Sequence, residues 1–312
     1  MKKILAMILA LVLAAGLCVS AGAEDADYKT LSVTSPGGAP ALALASFVAA
    51  EEIPHEYILA NEIAAAFSDN KADFVIAPVN AGAIQFKKLK GSYQLAAVVS
   101  WGNLFIASQK EGLTAEDLNG AEIILFGEHT INASVVLYAL EQNGIVPAKV
   151  DYLGSAELTK DALLGDPEAI VVTAEPALTA ARFAARKEEK TISAIAVNDL
   201  LKQAGMDGYA QAALFVRKET AQEQPEAVAA WLKKAEEACA LCEADVPAVA
   251  EAAVALGILG NAKVAEAGIP GCAIRYVGAA EAKALIEATA AIDLSQFGGE
   301  VPADEFYYDG AQ

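Results

Sequence analysis

Leu113-Thr114-Ala115-Glu116-Asp117-Leu118-Asn119-Gly120, followed directly by Ala121-Glu122-Ile123-Ile124-Leu125-Phe126, is the stretch from which the fold is read. Thr114–Leu118 reads as one helical turn or two. The run 121–126 is apolar enough for a strand buried on both faces, as parallel sheets require. Thr130 to Gln142 then repeats apolar residues at helical spacing until Asn143-Gly144 ends it. Turn, buried strand and helix in that order make one unit of an α/β sheet.

Outward from this unit the alternation continues in both directions. Upstream, strands are expected at Leu31–Thr34, His55–Leu59, Ala72–Pro78, Leu95–Ser100 and Asn103–Ser108, with helices at 39–50, 61–68 and 80–88 and Trp101-Gly102 between the last two strands. Downstream, strands are expected at Val150–Leu153, Ala169–Thr173, Ile192–Ala196 and Ala212–Val216. Between them lie helices at 157–165, from Glu175-Pro176 to about Glu188, and from Asn198. Pro176 suits a first helical turn, where its missing donor would have no partner anyway. Beyond Val216 the chain reads as chiefly helical, over 225–255, 262–267 and 279–290. No internal repeat or low-complexity linker interrupts the pattern, and a mostly parallel α/β architecture is expected.

Composition limits the function classes. With 22 Lys and Arg against 41 Asp and Glu, the 312-residue chain carries a formal charge of −19, which excludes the positive face that nucleic acid or an anionic membrane demands. Hydrophobic residues at 55% and charged residues at 20% describe a chain with a large core, and the length suggests two domains. Met1-Lys2-Lys3, the apolar run Ile4–Leu17 and Ala21-Gly22-Ala23 read as a signal peptide over residues 1–23, removed after Ala23. Lipidation at Cys18 is the rival, opposed by the bulky Leu17 before it. No later stretch is long and uncharged enough to span a bilayer. Cys239 and Cys242 sit in a helical run without a turn, a poor setting for redox or zinc chemistry, and are expected as small buried thiols, with a bridge to Cys272 left open.

Taken together these segments resemble a known family: the extracytoplasmic solute-binding proteins of ABC transporters, in the nitrate/sulfonate/taurine and thiamine-pyrimidine branch. The resemblance runs from Leu31 to about Leu256 and rests on the order of several motifs. They are the 113–126 stretch, Ala139-Leu140-Glu141-Gln142-Asn143-Gly144, Lys71-Ala72-Asp73-Phe74-Val75-Ile76, Thr173-Ala174-Glu175-Pro176 and Gln224-Pro225-Glu226-Ala227-Val228. It implies a periplasmic-binding-protein type II fold, with residues 24–105 and 213–312 as lobe one, 106–212 as lobe two, and a ligand cleft between them. It implies a monomer delivering a small solute to a membrane ABC permease outside the cytoplasm, without cofactor, metal or catalysis. Pyrimidine-synthesis and menaquinone-pathway enzymes share the architecture, and a ligand-presenting partner of a membrane sensor would use the same cleft, so both alternatives stay open.

Ligands in such sheets bind where strand ends open into helix N-termini. The residues this singles out are Ser35, Gly37 and Gly38, Asn61, Asn80, His129, Thr130 and Asn132, Thr173 and Glu175, with Trp101 and Asn103 at the mouth of the hinge. Each has a plainer role available. The glycines can serve only a turn, Asn80 can cap a helix, His129 can be a solvated loop residue, and Glu175 can complement a helix dipole. Trp101, next to a glycine between two strands, is expected to present a stacking face. Because these loops hold no Lys or Arg, the expected solute is neutral or cationic and nitrogenous, a ring stacked on Trp101 with an amino group donating to Glu175.

Cleavage after Ala23 is tested by N-terminal sequencing of exported protein, which should read Glu24 first; a diacylglyceryl group on Cys18 would overturn it.

Overall fold

The computed structural model describes residues 27–310, so the expected signal peptide lies outside the described residues. Among the described residues eleven strands form two sheets. Those of the first are β1 (Val33–Pro36), β2 (His55–Ile58), β3 (Phe74–Pro78) and β4 (Tyr93–Ser100), together with two that come late in the chain. The second holds β5 (Leu104–Ser108), β6 (Glu122–Phe126), β7 (Lys149–Leu153), β8 (Ile170–Ala174) and β9 (Ser193–Ala196). β10 (Ala212–Arg217) and β11 (Ile274–Gly278) return to the first. The orders are β11-β4-β10-β3-β1-β2 and β7-β6-β8-β5-β9, with helices packed on both.

This is the expected two-sheet α/β architecture, but the sheets are mixed rather than mostly parallel. Only β1 with β2 and β3, and β6 with β7 and β8, run parallel; β10 is antiparallel to β3 and β4, and β5 to β8 and β9. The reason lies in the connections. A strand that arrives from the other sheet enters from the cleft end instead of completing a right-handed βαβ crossover, so it runs against its neighbours.

Ten strands fall on segments read as β-like in the sequence. β11 was not among them: Ile274–Gly278 is a short edge strand between helical stretches, paired to β4 with an irregular register, and so carries little periodic signal. The helix expected over 225–255 is two, Pro225–Ala244 and Val246–Ala255, because the Asp245 side chain accepts from the Ala248 amide and restarts the helix. Beneath β3 the Trp231 ring stacks on Phe74 at 3.8 Å, 13° from parallel. Asp73, at the start of that strand, accepts from the Ser32 amide, Thr220 Oγ1 and Arg217 Nη2, tying β1, β3 and β10 into one buried knot.

The chain passes between the sheets at 101–103 and again over 204–211. Leu104 and Phe105 already pair with β8. The two passages touch closely: a Cβ at Gly102 would lie 2.6 Å from the Tyr209 ring and from Asn198 Oδ1, and one at Gly208 would lie 3.1 Å from the Trp101 carbonyl. Gly102 also has φ +89°, a backbone that side chains disfavour. Asn198 Nδ2 donates to the carbonyls of Trp101 and Gly102, both at 2.9 Å, fixing the first passage to the second sheet.

Gly102→Ala combines a left-handed backbone with overpacking, and an expected loss of roughly 2–4 kcal/mol follows. Urea unfolding measures it, and a loss below about 0.5 kcal/mol would contradict the close packing.

Candidate functional site

A cavity of about 480 Å³ opens between the two sheets. Two helices point their first turns into it from opposite sides. Val79–Lys88 begins at the end of β3, where the Pro78 ring fixes the turn, and contributes Asn80 and Ala81; Ile131–Gln142 follows β6 and contributes Ile131 and Asn132. Amide groups at such termini lack intrahelical partners and carry the positive end of a helix dipole; the Val79 amide is taken by the Gln211 carbonyl at 3.0 Å and the Ala133 amide by Thr130 Oγ1 at 3.4 Å.

The side chains at the centre form a chain of amides. Gln211, in the second passage, donates from Nε2 to Asn103 Oδ1 at 2.9 Å and to Asn132 Oδ1 at 3.5 Å, and its Oε1 accepts from Ser100 at 3.4 Å. Asn132 Oδ1 also accepts from the Tyr209 hydroxyl at 2.8 Å, and Asn103 Nδ2 donates to the Glu175 carbonyl at 2.6 Å. One network therefore joins both passages to the helix of the second sheet. The cavity wall adds Gln85, Gln296 and Asn61 among Pro36, Ile63, Phe126 and other apolar groups, and contains no Lys, Arg, Asp or Glu.

Of the residues expected from the sequence, the cavity brings together Asn61, Asn80, Asn103, His129, Thr130 and Asn132. Asn80 is not the cap of its helix, since Pro78 holds that place; its Oδ1 is enclosed without a hydrogen-bond partner. Thr130 caps its helix, accepting from the Ala133 amide while donating to the Gly127 carbonyl at 2.6 Å. His129 is a solvated rim residue, its side chain 88% exposed.

The other six lie elsewhere. Ser35 is buried and turns its hydroxyl back to the Pro36 carbonyl. At Gly37 and Gly38 a Cβ would meet nothing within 4 Å, and it is the turn, with φ +82° at Gly38, that calls for glycine. Thr173 is buried and donates to the Ala156 carbonyl. Trp101 offers no stacking face to the cleft. It is 6% exposed, its indole N–H donates to the Arg275 carbonyl at 2.8 Å, and the Arg275 guanidinium covers its ring at 5.0 Å. A buried indole needs a partner for its N–H, and the backbone of β11, the strand invisible in the sequence, supplies it.

Glu175 is likewise withdrawn. Only 5% exposed, it accepts from the Thr179 amide at 3.0 Å and the Thr179 hydroxyl at 2.9 Å, bracing its own helix. It packs against the backbone before β11 so closely that a Cβ at Gly271 would lie 2.7 Å from its Cγ. Gln211, Gln85 and Gln296 are the polar cleft residues that the sequence did not suggest. Gln211 stands just before a strand whose role as a passage between sheets only the fold reveals, and Gln296 arrives from the C-terminal region.

No family model matches the chain, and the search of curated proteins finds no match. Solved structures do match. An ABC transporter protein from Parabacteroides distasonis superposes with a TM-score of 0.74 at 19% identity, covering 91% of this chain and 100% of that one. The chain has the fold of ABC-transporter solute-binding proteins. The periplasmic aliphatic sulphonate binding protein SsuA from Escherichia coli matches at 0.68 and 14% identity, over 91% of this chain and 93% of its own. A zinc-bound ligand-binding component of an ABC-type import system from Staphylococcus aureus matches at 0.65 and 11%, over 90% and 96%. In this binding-protein fold, no group of three or more His, Cys, Asp or Glu side chains that could hold a metal occurs among the described residues. Nor does any described helix have the length and apolarity to cross a membrane. Cys239, Cys242 and Cys272 are free and buried, and burial pushes the Cys242 thiol up to about 12.

Burial raises the Glu175 pKa, against the smaller opposing effects of the Thr179 hydrogen bonds and the Arg182 charge. A carboxyl whose folded pKa lies above its unfolded value adds stability at low pH and loses it as pH rises through the folded pKa. Glu175→Gln should therefore match or exceed the wild-type melting temperature at neutral pH and flatten its rise on mild acidification; a lower melting temperature at pH 7 would contradict this.

Proposed function

We propose that this protein is the extracytoplasmic solute-binding component of an ABC importer, a monomer that encloses a small organic molecule between two lobes and hands it to a membrane permease. The observation that carries the reading is the cleft between the sheets, with helix N-termini facing it from both sides and an amide network crossing both connecting passages. The lobes divide where the chain changes sheet, at 101–103 and 204–211. A cavity of this size suits a small-molecule site, and a site whose walls belong to two bodies is one that closing can seal from water.

The solute we infer is uncharged and nitrogenous. A cation would want a carboxylate, and the cleft lining has none, Glu175 being engaged with Thr179. An oxyanion is most often met by an Arg or Lys fork, which is equally missing from that lining. Side-chain amides offer paired donors and acceptors that recognise a neutral edge of the same kind.

Native mass spectrometry of exported protein should show a retained neutral molecule of small mass. Its removal and return should expand and contract the scattering profile, and Gln211→Leu should weaken its binding at least about tenfold by leaving Asn103 Oδ1 without its donor. Chemical turnover of the retained molecule would move the protein to the enzyme class. A sulfonate as the tightest ligand would overturn the neutral solute while leaving the transport role standing.

A further inference from the structure

The amide side chains at the centre of the cleft are not equivalent. Gln211 and Asn103 are consumed within the network: the Gln211 nitrogen donates to Asn103 and Asn132, its oxygen accepts from Ser100, and Asn103 spends its oxygen on Gln211 and its nitrogen on the Glu175 carbonyl. Asn80 and Asn132 each keep one end. They hold the same place in two opposed helices, being the second residue of Val79–Lys88, which follows a strand of the first sheet, and of Ile131–Gln142, which follows a strand of the second.

The end that is left is the same in both. Asn132 Oδ1 accepts twice, from the Tyr209 hydroxyl at 2.8 Å and from Gln211 at 3.5 Å, which fixes the amide and leaves Nδ2 without an acceptor among the described residues. Asn80 Oδ1 is enclosed, so again it is the nitrogen that reaches the cavity. Two amide nitrogens thus meet the cleft from opposite sides, each at the positive end of a helix dipole, while every oxygen of the four central amides is either paired or enclosed. A solute that brought N–H or O–H groups to this place would meet donors; one that brought lone pairs would satisfy both helices.

We propose that Asn80 and Asn132 select the solute by a head group that only accepts hydrogen bonds, with two acceptor atoms aimed apart and no N–H or O–H, such as a sulfone or a diazine ring with two bare nitrogens. The inference rests on the solute-binding reading and deepens it: it gives the uncharged molecule a polarity that the amide composition of the lining by itself leaves open.

Sulfolane, a neutral ring whose two oxygens only accept, is the probe, with butanesulfonate as its anionic counterpart and guanidinium as its all-donor counterpart. In the wild-type protein sulfolane should shift the Asn80 and Asn132 side-chain amide signals saturably in proton–nitrogen correlation spectra and bind more tightly than guanidinium. Asn132→Asp keeps the oxygen held by Tyr209 and Gln211 and turns the nitrogen into a second acceptor, in a first helical turn that favours a carboxylate, so the melting temperature should hold. Its dissociation constant for sulfolane should rise at least about tenfold while that for guanidinium falls. Asn80→Ala removes the nitrogen together with an oxygen that has no partner, and sulfolane should weaken about fivefold at an undiminished melting temperature. Gln203→Glu adds the same charge as Asn132→Asp at an exposed position outside the cleft lining and should change sulfolane binding less than about twofold. No saturable shift with sulfolane, tighter binding of guanidinium by the wild type, or unchanged sulfolane affinity in Asn132→Asp and Asn80→Ala would overturn the proposal. Tighter binding of butanesulfonate than of sulfolane, with both weakened by Asn132→Asp, would uphold the acceptor-only head and overturn the uncharged solute. Chemical turnover of the retained molecule, with the sulfolane pattern as expected, would count against the transport reading alone.

Discussion

The cleft between the sheets depends on two stretches of backbone that cross from one sheet to the other in close contact. Polar backbone buried at such a crossing has to be satisfied, and the Asn198 amide does so by donating to two successive carbonyls. The crossing also has to be thin, which is why Gly102 and Gly208 stand where a side chain would strike Tyr209 or the Trp101 carbonyl. Bringing the passages this close sets Asn103 beside Gln211, and from that contact the amide network of the cleft extends to Asn132 and Tyr209.

The electrostatic character of the cleft contrasts with the rest of the chain. A protein of net charge −19 lines the cavity between its sheets with amides, one threonine, one solvated imidazole and apolar groups. Several ionisable side chains are instead engaged in structure. Asp73 and Arg217 tie the first sheet, Glu175 braces the helix after β8, and Asp293 accepts from Ser134 at 2.8 Å. Apart from His129 at the rim, the polar side chains lining the cleft among the described residues are neutral dipoles.

Glu175 and Trp101 illustrate how a plausible ligand group becomes a structural one. Both stand at strand ends next to helix or hinge, where ligand contacts are common. Each nevertheless meets an element from the chain's last quarter, Glu175 the glycines at 268 and 271, Trp101 the backbone of β11. Those contacts span roughly a hundred or more residues of sequence, so no local pattern announces them.

The sequence by itself determined the alternation of strands and helices and six of the residues that meet in the cleft, because hydrophobic period, turn residues and helix starts are local properties; the division into two lobes was what the family resemblance implied. Asn80, Thr130 and Asn132 were legible for that reason: a helix N-terminus after a buried strand faces the carboxyl edge of its sheet wherever the sheet is placed. Tertiary structure alone decided which polar groups remain free. Whether Asn132 faces Gln211, whether a carboxylate is left open or spent on Thr179, and whether an indole shows its face or hides it under Arg275 depend on which distant segments pack together, and that is fixed by the burial of the whole chain at once.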